Sequence, residues 1–348
     1  MTMNVACLHH VTASLIGACA AGAFAATAAA EEITVGAFGG LWEQSLRECV
    51  VAPFEAATGH TVNVVLGAPV QWMNQIAASP NDPPLDVIYM PSDNAFDVVD
   101  RGLAEQFTLE NVPNMASLPE AFQTIGDGYG VVHNYGSMGL IYNTETVSEP
   151  PASWEDFIEG VAEGEWYASI PGVNYPGALS TGLWNFANLA GGGLDDIEPG
   201  FETIERMQEG GSLEFWSDPN QVLNGLRSGA IDIAMYWDGR ALAFIDDGNE
   251  NFAYVTPSPG AVAAMTWIQK VTNSSDVGWE FVNAALDAEA QGCFGSRTRY
   301  GVGNASAEFD PAVRDQITKF DELVFPPFRE MTEVQSLLID QWNRRIGR

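Results

Sequence analysis

Apolar positions alternate between two rhythms along most of the chain. Short apolar runs, ITVGA (33–37), TVNVVLG (61–67) and LDVIYM (85–90), read as strands, and the stretches between and after them, LWEQSLRECVVAPFEAATGH, VQWMNQIAAS and SDNAFDVVDRGL, have helical periodicity. Pro53 falls inside the first of these helices and is expected to break or kink it. Strand–helix alternation predicts a mostly parallel sheet covered by helices. On such sheets, ligands sit at the carboxyl ends of the strands. A second unit of the same class opens near GLIYN (139–143). It holds PASWEDF, with Ser153 and Asp156 spaced as a helix capping box, then strand WYASI, helices ALSTGLWNFANLA, GFETIERMQEG and PNQVLNGLRSG, and strand AIDIAMYW. Two more strand-like runs, NFAYVTP and VAAMTWIQKV, precede the helices expected in WEFVNAALDAEAQGCFGS and FDPAVRDQITKF, and the chain closes on EVQSLLIDQWNRRI. No repeat recurs at a fixed period, which argues against a solenoid.

Composition adds three points. With 348 residues, 46% of them hydrophobic, the chain is long enough for two domains that each enclose a core. Its first thirty residues contain no Asp, Glu, Lys or Arg, and the acidic pair at 31–32 follows at once. Residues 1–30 therefore read as a secretory signal cut near Ala30, and the mature protein is expected in the periplasm. IGAC at 16–19 resembles an imperfect lipoprotein site, so a lipid anchor is the alternative. Acidic residues number 46 against 14 basic ones, a net charge of −32, and such a surface excludes nucleic acid as a partner. Hydration in a saline medium explains this acidity, and so does a field that draws in a cationic ligand. Cys7 and Cys19 lie in the signal-like segment, leaving Cys49 and Cys293 either as one long-range disulfide or as two buried thiols.

Catalytic chemistry is hard to find. Only His60 and His133 lie beyond the signal-like segment, no Cys or His pair has metal-ligand spacing, and there is no phosphate loop and no GxSxG turn. YGSMG (135–139) has the wrong spacing for the latter, and His133 beside it reads as a structural residue at a strand end. No cofactor is implied. An exported enzyme would require a nucleophile and a base at one cleft, and no convincing pair appears. The aromatic residues are more informative. Trp42 follows the first strand, Trp237 ends the run 231–237, and Trp267 lies in AAMTWIQKV. Three indoles at strand ends can converge on one cleft and hold an apolar chain or a cation, whereas Trp154, Trp184, Trp279 and Trp342 read as core. Asp238, directly after Trp237, would be costly in an apolar setting unless a cationic ligand or Arg240 pairs with it.

GAFGGLWEQSLRECVVAPFEAATGHTVNVV, LDVIYMPSDNAFDVVDRGL, NYGSMGLIYNTETV, PASWEDF, GLRSGAIDIAMYWDGRA and TWIQKVTNSSDVGWEFVNAALDAEAQ occur in an order that resembles the extracellular solute-binding proteins of ABC importers. Within that family the chain looks most like the spermidine/putrescine type, over residues 31 to about 305. The resemblance implies an α/β fold of two lobes, each a mostly parallel sheet flanked by helices, joined by a hinge and closing on ligand. Lobe 1 would take 31–138 plus 263–305 and lobe 2 would take 139–262 plus 306–348. Cys49 and Cys293 would then share a lobe, which makes a disulfide geometrically conceivable. The partners it implies are a small-molecule ligand and an ABC permease, with the binding protein itself a monomer and not an enzyme. By the polyamine-type pattern, Trp42, Trp237, Trp267 and Tyr300 take the aromatic roles. The family's Trp-x-Asp triplet reads Trp267, Ile268, Gln269 here, so a neutral amide stands where an amine-pairing Asp is expected, and Asp238 is the substitute counter-ion. Asp93 and Asn94 are further cleft candidates. An amine or polyamine is the first expectation. The alternative is a zwitterionic or anionic ligand such as an amino acid or aminophosphonate, clamped by Arg297 or Arg240, with backbone donors near Ser180 and Thr181. Ferric-ion binding, another branch, usually needs adjacent tyrosines, and none occur.

Overall fold

A computed structural model describes residues 1–2, 29–175 and 177–347. The signal-like segment, with Cys7, Cys19 and the IGAC run, lies almost wholly outside the described residues. The strands are β1 (Glu32–Ala37), β2 (Thr61–Leu66), β3 (Val87–Pro91), β4 (Val131–Asn143), β5 (Ala168–Pro171), β6 (Leu213–Trp216), β7 (Ile233–Trp237), β8 (Phe252–Val255), β9 (Ala261–Lys270), β10 (Gly301–Val302) and β11 (Leu323–Val324). They form one continuous hydrogen-bonded path in the order β2-β1-β3-β9-β4-β7-β5-β6.

Parallel pairing occupies the two outer blocks, β2-β1-β3 and β7-β5-β6, while the centre is antiparallel. The mostly parallel sheet expected of each lobe is found in each block, and the antiparallel centre joins them. The physical reason is that β4 and β9 are long and cross between blocks. β9 pairs with β3 through Thr266–Lys270, whereas β4 pairs with β9 through its first half and with β7 through its second. Two separate apolar cores result. One collects β1–β3, the start of β4, the late part of β9 and the helices Val277–Ala285 and Ala288–Thr298. The other collects β5–β7, the end of β4 and the C-terminal helix Phe328–Arg345.

Local rules explain most element limits. Ser153 and Asp156 form the expected capping box, each side chain bonded to the other's backbone N–H at 3.0 and 2.9 Å. The expected kink at Pro53 appears as a π-helical stretch, Arg47–Val51, inserted between Leu41–Leu46 and Ala52–Thr58. Proline has no N–H to give, so the preceding turn widens. FDPAVRDQITKF, expected as a helix, holds only a short 3₁₀ turn at Arg314–Gln316. Several elements escape the apolar pattern, among them the first half of β4, whose Gly136 and Ser137 interrupt it, β6, and the helix Asp238–Asp246 that follows β7 directly. Cys49 and Cys293 form a disulfide with Cα atoms 5.6 Å apart. It joins the π-helical stretch to the helix Ala288–Thr298, with Cys49 in the first core and Cys293 at the surface.

Candidate functional site

The carboxyl ends of the parallel strands of both blocks open onto one cavity of about 460 Å³. Each strand hands over to a loop or helix whose first residues line it. After β1 come Phe38, Gly39 and Trp42, and Gly40, at φ 75°, makes the turn that starts the helix Leu41–Leu46. A side chain there would be strained, which is why glycine occupies the position. After β3 come Ser92 and Asp93, after β5 Asn174, Tyr175, Ser180 and Thr181, and after β7 Arg240, which follows Trp237 at the strand end. β4 and β9 cross beneath and contribute Asn134, Gly136, Ala264 and Thr266. Tyr300 enters from the first core because Arg299, at φ 64°, ends the helix Ala288–Thr298 and turns the chain inward. The expectation of a cleft at strand carboxyl ends holds on both blocks.

Among the residues singled out in the sequence, Trp42, Asp93, Ser180, Thr181, Trp237, Arg240 and Tyr300 line this cavity. Trp237 is 9% exposed, and its indole N–H donates to the Tyr175 hydroxyl at 2.8 Å, which sets the ring plane. Asp93 accepts from the Ser180 hydroxyl at 3.3 Å and from the Gly177 backbone N–H, so a carboxylate from the first core meets a helix of the second. Burial pushes its pKa up to about 6, against the opposing pull of those two donors.

The other five are placed elsewhere. Trp267 is fully buried, its N–H bonded to the Ser92 hydroxyl at 3.1 Å and its ring packed edge-on against Phe96. Gln269 shares that face of β9 and donates to the carbonyls of Ala95 and Tyr129. Both lie past the stretch of β9 that lines the cavity, Ala263 to Thr266. Asn94 is buried one position past Asp93 and is absent from the lining. Arg297 pairs with Glu48 at 2.9 Å beside the disulfide, on the outside of the first core.

Asp238, expected as counter-ion to the ligand, is 1% exposed and also outside the lining. As the first residue of its helix, it turns back beneath β4. There it accepts from Ser137 Oγ at 3.0 Å, Thr318 Oγ1 at 2.6 Å and Gly239 N–H at 2.7 Å. Hydroxyls and a backbone amide thus take the place of a cation. Burial still dominates and raises its pKa from 3.8 to about 6. Between about pH 4 and pH 6 the folded chain keeps a proton that the unfolded chain releases, so this group's contribution is full below pH 4 and lost as pH rises through 6. In the variant Asp238→Asn, unfolding free energy should fall less between pH 4 and pH 6.5 than in the wild type. Equal pH slopes in denaturant titrations would contradict this account.

Arg240 carries the site's charge. Its guanidinium is half-buried, with Tyr175, Tyr236 and Tyr300 near it. Among the described residues it makes no ion pair; Asp218, whose charge acts on it, caps the helix Pro219–Ser228 instead. Tyr175 and Asn174 are lining residues that sequence reasoning missed. The signal was present, since they follow a strand's carboxyl end just as Trp42 does.

The cavity offers aromatic faces, a forked cation, one carboxylate and several hydroxyl and amide groups. That set suits reversible capture of a small polar molecule. The chain matches the family model of bacterial extracellular solute-binding proteins over residues 50–318. No curated protein matches the sequence. Among solved structures it resembles a Bordetella parapertussis protein assigned to the extracellular solute-binding class, with 26% identity, a TM-score of 0.78, and coverage of 90% of this chain and 98% of that one. It also resembles AgtB of A. tumefaciens R10 in complex with agropinic acid, with 18% identity, a TM-score of 0.74, and coverage of 91% and 99%. AfuA of Actinobacillus pleuropneumoniae with fructose-6-phosphate bound is similar too, with 18% identity, a TM-score of 0.75, and coverage of 91% and 99%. The two-lobed α/β periplasmic-binding-protein fold expected from the sequence is therefore the one observed, and the chain belongs to the bacterial extracellular solute-binding protein family.

Proposed function

We propose that this protein captures a small organic acid in the 460 Å³ cavity, closes its two lobes about β4 and β9, and delivers the ligand to an ABC permease from the periplasm. The observation that carries this reading is Arg240. In a chain with 46 acidic and 14 basic residues, a half-buried arginine at a cavity wall that has no carboxylate partner among the described residues suits a bound anion. Carboxylate, phosphate and phosphonate all fit the guanidinium fork. The rings of Trp42, Trp237 and Tyr300 supply flat apolar contact around it. Asp93, also on the wall, can accept from an amino group, so a zwitterion satisfies both charges.

The amine or polyamine reading has less support. Each ammonium of a polyamine needs a carboxylate or an aromatic box. Asp238 is covered by hydroxyls, and Trp267 and Gln269 point into the core. The comparable scaffolds of AgtB and AfuA carry agropinic acid and fructose-6-phosphate, so lining residues and not the fold select the ligand. A thermal-shift screen of the purified full-length protein against carboxylates, phosphonates, amino acids and polyamines tests this. A ligand at a hundred times its Kd stabilises by about 2.7 kcal/mol. Acids or amino acids are expected to raise the transition temperature, and a response to putrescine and spermidine alone would reject the proposal.

A further inference from the structure

Arg240 does not stand at the end of the cleft. A second hollow of about 420 Å³ lies beyond it and shares Trp42, Arg240 and Tyr300 with the first, so the guanidinium stands in the partition between two chambers. Leu41, Leu223, Ala243 and Phe244 give the second chamber apolar walls. Arg227, an exposed residue at its mouth, gives it another cation. Its guanidinium lies 4.5 Å from the centroid of the Phe244 ring, and its Nε reaches Asn249 Oδ1 at 3.5 Å. Among the described residues Arg227 makes no ion pair either, although Asp247 lines the same chamber at its exposed edge.

Helix geometry relates the two arginines. Arg240 and Phe244 are four residues apart on the helix Asp238–Asp246 and so share a face, about one 5.4 Å turn apart. With Arg227 stacked on Phe244, both guanidinium-bearing side chains line the same hollow. One chamber wall therefore carries two cations against a single acid, in a chain of net charge −32.

Resting on the reading of Arg240 as the anion site, we infer that the second chamber is a further subsite and that the ligand class is an elongated diacid. One acidic group sits on Arg240 at the partition. The other reaches Arg227, and the spacer between them lies on Phe244, Leu223 and Leu41. A monoacid would leave Arg227 without an ionic partner, and a polyamine would meet two cations.

Titration of the full-length protein at low salt with glutarate, adipate and pimelate, each against the monocarboxylate of equal carbon number, tests the inference. At least one diacid is expected to bind tenfold or more tightly than its monocarboxylate. Arg227→Gln should bring that ratio close to one, and Arg240→Gln should abolish binding of both classes. Equal binding of the two classes by the wild type, or an undiminished ratio in Arg227→Gln, would overturn the second subsite while leaving the anion site intact. Binding of no diacid would overturn the ligand class. Unchanged binding in Arg240→Gln would instead remove the reading beneath it.

Discussion

Arg240→Gln is expected to weaken ligand binding at least about thirty-fold while leaving ligand-free stability within about 0.5 kcal/mol of wild type. The two effects separate because of what the guanidinium touches. In the free protein it makes no ion pair among the described residues, and its neighbours are the tyrosines 175, 236 and 300. Its removal thus strands no internal charge. In the complex it would face an anion in a partly dry cavity, and losing one member of such a charged pair costs about 2–5 kcal/mol. Arg240→Lys should fall between the two, since it keeps the charge and loses the fork. Titration calorimetry with the acid found by screening, alongside denaturant melts, reads both quantities. Wild-type affinity in Arg240→Gln would mean that the cavity recognises its ligand by other groups.

Replacing Cys49 and Cys293 together by serine should lower stability by about 2–4 kcal/mol. The bridge closes a loop with a sequence separation of 244, so it removes much of the freedom of the unfolded chain. It also ties the Arg47–Val51 stretch to the helix Ala288–Thr298, which in turn ends beside Tyr300 at the cavity. The Arg297–Glu48 pair spans the same two elements at the surface, but an exposed pair of this kind contributes about 0–1 kcal/mol and cannot compensate. Guanidinium melts with and without reductant make the comparison. Reduced wild type is expected to match the double-serine variant. Coincident wild-type curves in the two conditions would show that the bridge does not form in solution.

The hydrophobic rhythm, the breakers and the caps belong to local chemistry, and they were legible in the sequence. Strands β1, β2, β3 and β7, the Ser153 capping box and the disturbance at Pro53 follow from side-chain spacing and backbone restriction alone. Position at a strand's carboxyl end was enough to pick out Trp42, Asp93 and Trp237. The first half of β4 was not legible, because Gly136 and Ser137 carry little strand preference. That segment is extended because β9 and β10 supply its hydrogen-bond partners from distant parts of the chain. The expected helix over FDPAVRDQITKF failed for the complementary reason, since Thr318 within it is engaged in holding Asp238.

The order of elements, their caps and the strand ends that would meet a ligand were determined by the sequence itself, because periodicity and backbone restriction act within a few residues. Which neighbour at each strand end faces the cavity was decided only by the tertiary structure. A step of one residue along a strand reverses a side chain's face, and one along a helix turns it by about 100°. Asp238 therefore folds under β4 while Trp237 and Arg240 line the site, and Trp267 enters the core while Thr266 beside it meets the cleft. The choice between Arg240 and Arg297 was of the same kind. Glu48 holds one on the outer face, and the other is left facing the cavity without an acidic partner.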